Sequence, residues 1–569
     1  MIGNTILPPG LLMILGAWFL PFLSRKAQAI GVLVLSSVSL ALFLWTPSGQ
    51  YGEFEFLGAS LNVVRIDSLS RIFGVIFHLA AILSALYALH VRDIRQHIAG
   101  LVYAGAAIGA CCAGDLITLF VYWELTAISS VFLIWASGTE RSYRTGMRYL
   151  IIQVGSGVLL LSGVVVQYVT TGSIEFTRFT PAGGTMSLGA MLILLAFGVK
   201  CAFPLLHNWL QDSYPEATVT GTVFLSAFTT KLAVYSLARG FPQTEILIWI
   251  GCVMTLFPII YAVIENDLRR VLAYSLNNQL GFMVVGVGIG TELAINGTVA
   301  HAFCHIIYKA LLFMSVGAVM YRTGTAKATE LGGLHKSMPW TAGFCLIGAG
   351  AISGFPLLSG FISKSMIISA AGEEHLLWVW LILLVASAGV MEHSGIKIPF
   401  FAFFGHDSGK RPKEAPLHMR FAMGIAAFFC VGLGVAYPLL YKWLPHDVDY
   451  HPYTVTHVVT QLQLLLFAAL AFVFLMKTHL YPPEIRSVNL DTDWIYRRAF
   501  PQLIQWGGTA IVMIDGTLRR TAMDTLNWFL RGVERLFSPR GIFGRAWPTG
   551  TMTIWATILL ALCLVLYYM

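Results

Sequence analysis

Long apolar stretches separated by short polar segments run the whole length of the chain. A helix that crosses a bilayer needs about 20 mostly apolar residues. The pattern therefore predicts an all-α polytopic membrane protein with about 14–16 transmembrane helices. The candidate stretches, of which the twelfth is interrupted, are 7–24, 27–46, 68–91, 98–114, 115–137, 144–170, 187–210, 218–239, 244–265, 270–290, 294–322, 338–372, 376–398, 418–440, 459–476 and 549–568.

The basic residues of the loops alternate from one loop to the next. If the N-terminus is outside, Lys and Arg gather in the loops after odd-numbered helices, and acids such as Glu53, Glu175 and Asp447 lie in the opposite loops. Cytoplasmic loops of membrane proteins are enriched in Lys and Arg, so this alternation supports both the helix count and an external N-terminus. The net charge of +8 is a topology signal spread over many loops, which argues against a nucleic-acid partner.

Composition and motifs limit the kinds of chemistry that this chain can carry out. Charged residues make up 11% of the chain, against about 25% in soluble domains. All eight cysteines lie in apolar segments without metal or iron–sulfur spacing, and no nucleotide-binding loop is present. We therefore expect no cofactor, no metal and no catalytic chemistry, with energy supplied by an ion gradient or a partner. The first apolar stretch lacks signal-peptide features and is expected to be a retained helix.

Residues 480–548 differ from the rest because they are basic and amphipathic, which predicts a segment along the cytoplasmic interface. The predicted organisation has N-terminal transmembrane helices, two half-channel repeats, additional transmembrane helices, this interfacial segment and a last transmembrane helix. Their ranges are 1–97, 98–240, 241–400, 401–479, 480–548 and 549–569.

A short set of ionisable residues lies near the middle of predicted helices: Glu124, Lys200, Lys231, His301, His305, Lys309 and Lys364. An ionisable residue at that depth costs a few kcal/mol, so it is a functional candidate by default. The alternative for any one residue is a structural ion pair. However, the lysines outnumber the carboxylates, and buried lysines exchange protons readily when a nearby carboxylate moves. The set therefore favours a proton relay.

Three members of this set, His301, His305 and Lys309, recur every four residues and share one helical face. Two histidines at this spacing could bind zinc, but no third ligand is visible nearby. Pro204 and Pro356 interrupt two other helices within repeated FPLL tetrapeptides, 203–206 and 355–358. Paired interruptions point to internal repeats and to hydrated sites at membrane depth.

Five motifs together carry a family resemblance: GDLITLFVYWELTAISS, VKCAFPLLHNWLQDSYPEA, NDLRRVLAYSLNNQLGF, HIIYKALLFMSVGAV and SGFPLLSGFISKS. Residues 65–400 resemble the proton-translocating antiporter-like subunits of complex I (subunits L, M and N), membrane-bound hydrogenases and Mrp-type antiporters. EHSGIKIPFFAFFG at 392–405 and the overall length are most similar to the D-type subunits of Mrp antiporters. One departure is Asn278, where the family usually has Ser; it is expected to be a mild change.

The resemblance implies two inverted five-helix repeats, helices four to eight and nine to thirteen, with helices 7 and 12 broken. It implies that Lys200 pairs with Glu124 and that Lys231 links the first half to the second. His301, His305 and Lys309 would form the central relay, and Lys364 the exit.

The function expected from this resemblance is proton translocation within a multi-subunit Na⁺/H⁺ (or K⁺/H⁺) antiporter of a bacterial inner membrane, with other membrane subunits as partners. Two alternatives stay open at this point. One is a proton-pumping subunit of an NADH:quinone oxidoreductase-like or hydrogenase complex, and the other is a coupling subunit for inorganic carbon uptake. The cation and the direction of flux are not encoded in a recognisable motif.

Overall fold

The computed structural model describes residues 6–56, 58–179, 185–482, 484–485, 489 and 491–569. It divides into two units, Met1–Asn489 and Leu490–Met569, each of which is described by itself.

The first unit is built almost entirely of helices. Its α-helices are α1 (Leu11–Ala17), α2 (Arg25–Trp45), α3 (Ser68–Tyr87), α4 (Ile94–Cys111), α5 (Leu116–Trp135), α6 (Glu140–Thr171), α7 (Leu188–Lys200), α8 (Asn208–Ser213), α9 (Val219–Ala227), α10 (Thr229–Gly240), α11 (Glu245–Ile264), α12 (Leu268–Ile289), α13 (Glu292–Thr323), α14 (Pro339–Ser353), α15 (Ser359–Glu373), α16 (Leu377–Val390), α17 (Lys397–Pro399), α18 (Leu417–Val435), α19 (Tyr437–Tyr441) and α20 (Val455–Lys477). Short 3₁₀ turns are Leu20–Phe22, Ala328–Glu330 and Leu334–Lys336, and π-helical segments are Met391–Ile396 and Phe400–Phe404.

Ten helices of the described residues, counting the last helix of the second unit, are long and apolar enough to cross a membrane. The chain is therefore a mostly helical multi-pass membrane protein. Each of the predicted stretches contains helix, but several helices are too short or too interrupted to count among the ten, so the figure of fourteen to sixteen stays a prediction.

Helix α13 is the central element of the first unit. Its most apolar stretch of 18 residues is 94% buried. The helix packs against α3, α9, α12, α14, α15 and α18. A membrane helix shielded on all sides can carry polar side chains that lipid would exclude. The stripe predicted on this helix therefore lies inside protein.

A β-hairpin, β1 (Gly49–Phe56) and β2 (Ala59–Ile66), was not predicted. The strands are antiparallel, with Gly49 opposite Ile66. The hairpin is tied to the start of α5, because the Asn62 N–H donates to the Asp115 carboxylate at 3.0 Å. Acidic and aromatic residues alternate at the end of GQYGEFEF, and this alternation is the sequence signal that indicates a strand here.

Helices end close to both Pro204 and Pro356, where the sequence predicts interruptions. Helix α7 ends at Lys200 and α14 ends at Ser353, and both are followed by the same turn. In each copy the fourth residue of FPLL donates its N–H to the carbonyl of the first, at 2.9 Å and 3.1 Å, and the third residue, Leu205 or Leu357, has a φ of 69° or 72°. Proline at the second position and a positive φ at the third define a type II turn.

The two turns belong to a longer repeat. Helices α6 and α13 are both 32 residues long, and both begin with a threonine cap and end at a left-handed glycine. The caps of α5 and α12 are both aspartates, and each forms an isolated β-bridge to the loop beyond the next helix. The paired positions, all separated by 152 residues, are Asp115 and Asp267, Thr139 and Thr291, Gly172 and Gly324, and Pro204 and Pro356.

The strained leucine of the second turn supports a stability prediction. A side chain in the left-handed region costs about 1–2 kcal/mol, which glycine avoids. Leu357 is 58% exposed, so its side chain adds little packing within this chain. We expect Leu357→Gly to be more stable than Leu357→Ala by about 1 kcal/mol, measured as the thermal unfolding of the purified protein.

Leu346 provides the matched control, because it is 46% exposed in the interior of α14. Glycine in a helix interior is about 1 kcal/mol less favourable than alanine, so the order of the two variants should reverse there. The same order at both positions would contradict the assignment of strain to the turn.

The second unit contains α21 (Phe500–Phe537) and α22 (Thr549–Tyr568), with a π-helical segment, Ile495–Ala499, before α21. Helix α22 is one of the ten candidate spans. Helix α21 has 38 residues and is about 57 Å long, and charged residues such as Asp515 and Arg519 recur along it. Its place along the membrane interface stays a prediction.

Candidate functional site

Lys200 is the last residue of α7, and its side chain is completely buried. Its Nζ donates to the Trp123 carbonyl at 2.6 Å and to the Thr126 hydroxyl at 2.8 Å, and it lies 4.2 Å from the centre of the Trp123 ring. These contacts are on the two sides of Glu124 along α5. The lysine therefore meets the predicted segment of α5, but it is held by a carbonyl, a hydroxyl and an aromatic face.

Glu124 does not form an ion pair with Lys200 at contact distance among the described residues. Its Oε1 atom is buried without a hydrogen-bond partner in the part of the chain that the structure describes. The carboxylate packs against Gly157 of α6, where a Cβ atom would overlap Oε1. The pairing that the resemblance implies is therefore seen here as two neighbouring charged groups that are not in direct contact. The Glu124 carboxylate occupies a space beside α6 that exists because residue 157 is a glycine.

Lys231 lies just after a second kind of interruption, the break at Phe228 between α9 and α10. Its Nζ donates to the Ser226 carbonyl at 2.6 Å, and the side chain is completely buried. The sequence predicted one continuous helix over 218–239. The break frees carbonyls at the end of α9, where the helix dipole favours a cation.

His301, His305 and Lys309 lie on one face of α13, as predicted, and all are completely buried. The rings of His301 and His305 stack with their centres 6.1 Å apart. Both nitrogens of His305 and the Lys309 Nζ lack hydrogen-bond partners among the described residues. Buried polar atoms in proteins are normally satisfied by protein or ordered water, so this stripe is the place where water would bridge the groups.

His301 is the best connected member of the stripe. Its Nδ1 lies 3.0 Å from the Ser363 hydroxyl, and its Nε2 lies 3.1 Å from Oε1 of Gln279, which also accepts from Tyr308 at 3.1 Å. The amide of Gln279 donates to Asn278 at 2.6 Å. Asn278, the departure from the family pattern, therefore orients the glutamine that contacts His301.

Lys364 lies on α15, one residue after Ser363, and is almost completely buried. Its Nζ donates to the Ile352 carbonyl at 3.0 Å, near the end of α14, and lies 5.2 Å from the Phe282 ring centre. In the 152-residue spacing, Ile352 is the position equivalent to Lys200. The lysines lie on opposite sides of their turns in sequence, but the long side chain of Lys364 reaches back to the backbone carbonyl at the position equivalent to Lys200.

Lys200, Lys231 and Lys364 thus share one arrangement, since each donates to a backbone carbonyl and none has a carboxylate in contact distance among the described residues. The partners that sequence reasoning missed are Trp123, Thr126, Gly157, Gln279, Tyr308 and Ser363. Within the part of the chain that the structure describes, no group of three or more His, Cys, Asp or Glu side chains is placed to hold a metal ion.

Arg239, at the end of α10, has a structural partner. Its guanidinium donates two hydrogen bonds to Asp67, the cap of α3, both at 2.8 Å. Partial burial raises the pKa of the Asp67 carboxyl, but the hydrogen bonds and charge of Arg239 outweigh it and lower that pKa to about 2. This pair ties α10 to α3 and lies apart from the relay.

Residues 113–390, which include all the predicted relay residues, match the family described as NADH:quinone oxidoreductase/Mrp antiporter, TM. NADH-quinone oxidoreductase subunit N of Desulforudis audaxviator is 31% identical over 398 residues, an alignment that covers 65% of this chain and 78% of that protein. The chain belongs to this family.

Among other family members, the D-type subunit of the Na(+)/H(+) antiporter of Alkalihalophilus pseudofirmus is 35% identical over 316 residues. That alignment covers 52% of this chain and 63% of the relative, so it spans less than two thirds of that protein's length. A chain in the Mrp complex from Dietzia sp. DQ12-45-1b superimposes with a TM-score of 0.70, covering 79% of this chain and 98% of that one. At 21% identity, this likeness shows a shared fold.

Proposed function

We propose that this chain is a proton-translocating subunit of a multi-subunit monovalent-cation/proton antiporter in a bacterial inner membrane. Na⁺ is the first candidate for the exchanged cation, because a relative with 35% identity is named as a component of a Na⁺/H⁺ antiporter. Protons move through the chain, and the cation is handled elsewhere in the complex.

The observation that supports this proposal best is the set of buried lysines bound to carbonyls instead of carboxylates. A lysine paired with a carboxylate is stabilised in the charged form, and such a pair can be purely structural. Among the described residues, the hydrogen-bond partners of Lys231 and Lys364 are carbonyls, which stabilise a proton on the amine but do not neutralise it. These amines are suited to receiving and releasing protons.

The proposed path follows the geometry. Lys200 holds a proton near Glu124 and passes it towards Lys231. Water bridges the unpartnered nitrogens of His305 and Lys309, His301 connects the stripe to Ser363, and Lys364 delivers the proton to the exit. The 152-residue spacing supports two equivalent halves, and units of five spans would place them in the membrane in opposite senses. Pro204 and Pro356 are proposed to open the two halves to water.

The alternative with specific support is a proton-pumping subunit of an NADH:quinone oxidoreductase-like complex, because the relative with 31% identity carries that name. The same row of residues would serve it, since only the source of energy differs. A hydrogenase complex or inorganic carbon uptake would likewise be decided by the partner subunits.

The test is purification of the native complex through a tag on this chain, followed by mass spectrometry and transport assays in everted vesicles. For the antiporter, we expect small membrane subunits to co-purify and added Na⁺ or K⁺ to dissipate a preformed proton gradient. Choline chloride is the control for salt alone. Co-purified redox subunits, with proton pumping driven by an electron donor and no response to cations, would contradict the antiporter and support the alternative.

A further inference from the structure

A second group of buried charges lies outside the relay row, on the predicted cytoplasmic side of the second half. We name it the α17 cluster and define it as Glu392, Lys397, Tyr481 and Glu484. Glu392 and Lys397 belong to the segment that contains α17, whereas Tyr481 and Glu484 follow α20. Neither the relay nor the sequence motifs assign a role to these residues.

Lys397 is the centre of the cluster, and its side chain is completely buried. Its Nζ donates to the carbonyls of Ala262, Val263 and Glu265 at 3.2, 2.5 and 2.8 Å, and lies 2.8 Å from Oε1 of Glu484. The carbonyls are at the C-terminal end of α11, where the helix dipole favours a cation. Four oxygens therefore surround one ammonium group.

The backbone around Lys397 has the form that positions a functional group. Met391–Ile396 is π-helical, and residues five apart share a face in such a segment, which brings Glu392 and Lys397 to the same side. The Glu392 Oε1 atom is buried without a hydrogen-bond partner among the described residues, and Tyr481 lies beside this carboxylate. A π-helical segment is less regular than an α-helix and is frequently found at functional sites.

The cluster reaches an open cleft of about 550 Å³. Glu484 and Tyr481 form part of its wall, together with Thr329, His406 and His479, which all lie in predicted cytoplasmic loops or next to them. Glu484 lines this cleft, but both of its carboxylate oxygens are buried, and Oε1 lies against Lys397. Burial and the nearby Glu265 carboxylate raise the pKa of Glu484, while Lys397 lowers it, and the net effect is an increase that favours proton binding from the cleft.

His393 follows Glu392 of the cluster directly in the sequence and is completely buried. The Nδ1 atom of His393 lies 2.9 Å from the Ser394 hydroxyl, which donates to Ser275 of α12 at 2.7 Å. Its Nε2 atom is buried and lacks a partner among the described residues, as does the Lys309 Nζ. His393 is close enough to Lys309, Lys397 and Lys364 for their charges to act on it. The unpartnered Nε2 atom makes His393 a candidate acceptor for a proton from the cluster.

We propose that Glu484 and Lys397 form a proton-uptake site that takes protons from the cytoplasmic cleft and passes them through His393 to Lys309. This inference rests on the proposed function. A proton from water in the cleft first converts the Glu484 carboxylate to the acid. The Lys397 ammonium then transfers a proton through water to Nε2 of His393, and the neutral amine takes the proton of Glu484. One proton has moved inward, and the pair has regained its original charges.

The first test uses Glu484→Gln in the assembled complex, with proton transport measured in everted vesicles. We expect the initial rate to fall at least fivefold, with Glu484→Asp retaining most of it. Asp407→Asn is the matched control, because Asp407 also pairs with a lysine, Lys336 at 3.2 Å, but on the surface of a predicted cytoplasmic loop. A wild-type rate for an assembled Glu484→Gln complex would overturn the inference.

A second measurement covers the case in which Glu484→Gln does not assemble. A water-soluble carbodiimide reacts with protonated carboxyls, so in wild-type everted vesicles we expect an adduct on Glu484 that decreases at alkaline pH. Asp407 should stay unmodified, because hydrogen bonds from Arg411 hold the pKa of its carboxyl well below the usual value. Absence of the Glu484 adduct would also overturn the inference.

Lys309→Ala separates this inference from the proposed function. If the Lys309→Ala complex transports protons normally, the proposed function fails. If Lys309→Ala is inactive while assembled Glu484→Gln is normal, only the uptake site fails.

Discussion

Replacement of Lys200 by arginine is expected to lower proton transport at least tenfold while the complex assembles normally. Arginine retains the positive charge and can still donate to the Trp123 carbonyl and the Thr126 hydroxyl. A guanidinium group, however, does not release its proton in proteins. The variant therefore keeps the charge and the donors and removes the proton transfer. The measurement is the initial rate of proton-gradient formation in everted vesicles.

The Lys200→Arg variant distinguishes a lysine that transfers protons from a lysine that only stabilises packing. If Lys200 only stabilised the packing of α5 against α7, arginine would preserve most of its contacts and transport would stay near the wild-type rate. Lys327→Arg is the control for the exchange itself, because Lys327 pairs with Glu330 on the surface at 3.9 Å. Normal transport by Lys200→Arg would contradict the role proposed for Lys200.

The sequence predicts a short set of candidate site residues because its signals are coarse and strong. An ionisable residue in an apolar helix stands out in any hydropathy pattern, and a proline at membrane depth marks an interruption. These two signals were sufficient to find Lys200, the stripe on α13 and the breaks at Pro204 and Pro356. The structure adds that the breaks are the same turn, which the tetrapeptide match alone could not establish.

The partners of these residues could not be predicted for a physical reason. The lysines bind the backbone carbonyls of Trp123, Ser226 and Ile352. Every residue has a backbone carbonyl, so residue type does not indicate which carbonyl is free to bind a lysine. Similarly, the π-helical segment that aligns Glu392 with Lys397 depends on local backbone geometry. The hairpin was missed because its two eight-residue strands lie between much longer apolar stretches.

The predicted pairing of Glu124 with Lys200 illustrates the same limit. The resemblance identified both residues, but the distance between two side chains depends on how α5, α6 and α7 pack. In the structure the carboxylate lies against Gly157 and Lys200 binds the residues on either side of it. The two charges are neighbours that are not in direct contact.

Gly157→Ala is expected to lower proton transport at least tenfold, as Glu124→Gln would, without a change at any titratable residue. The added Cβ would overlap the Glu124 Oε1 atom, and the flexible end of the glutamate is what must move. Because a side chain can shift at small cost, the variant should fold and assemble while its carboxylate is displaced. The measurement is the transport rate in everted vesicles, normalised to the amount of assembled complex.

Gly155→Ala is the matched control, because a Cβ at Gly155, on the same helix, meets nothing within 4 Å. Equal transport by the two variants would contradict the idea that the position of Glu124 matters.

The 152-residue spacing places Gly157 at the position equivalent to Lys309 of the second half. The first half has a glycine and a carboxylate where the second half has a lysine, and Leu276 is the equivalent of Glu124. The two halves thus share a backbone plan but place opposite charges at this depth, and Gly157→Ala perturbs that difference without altering the charge.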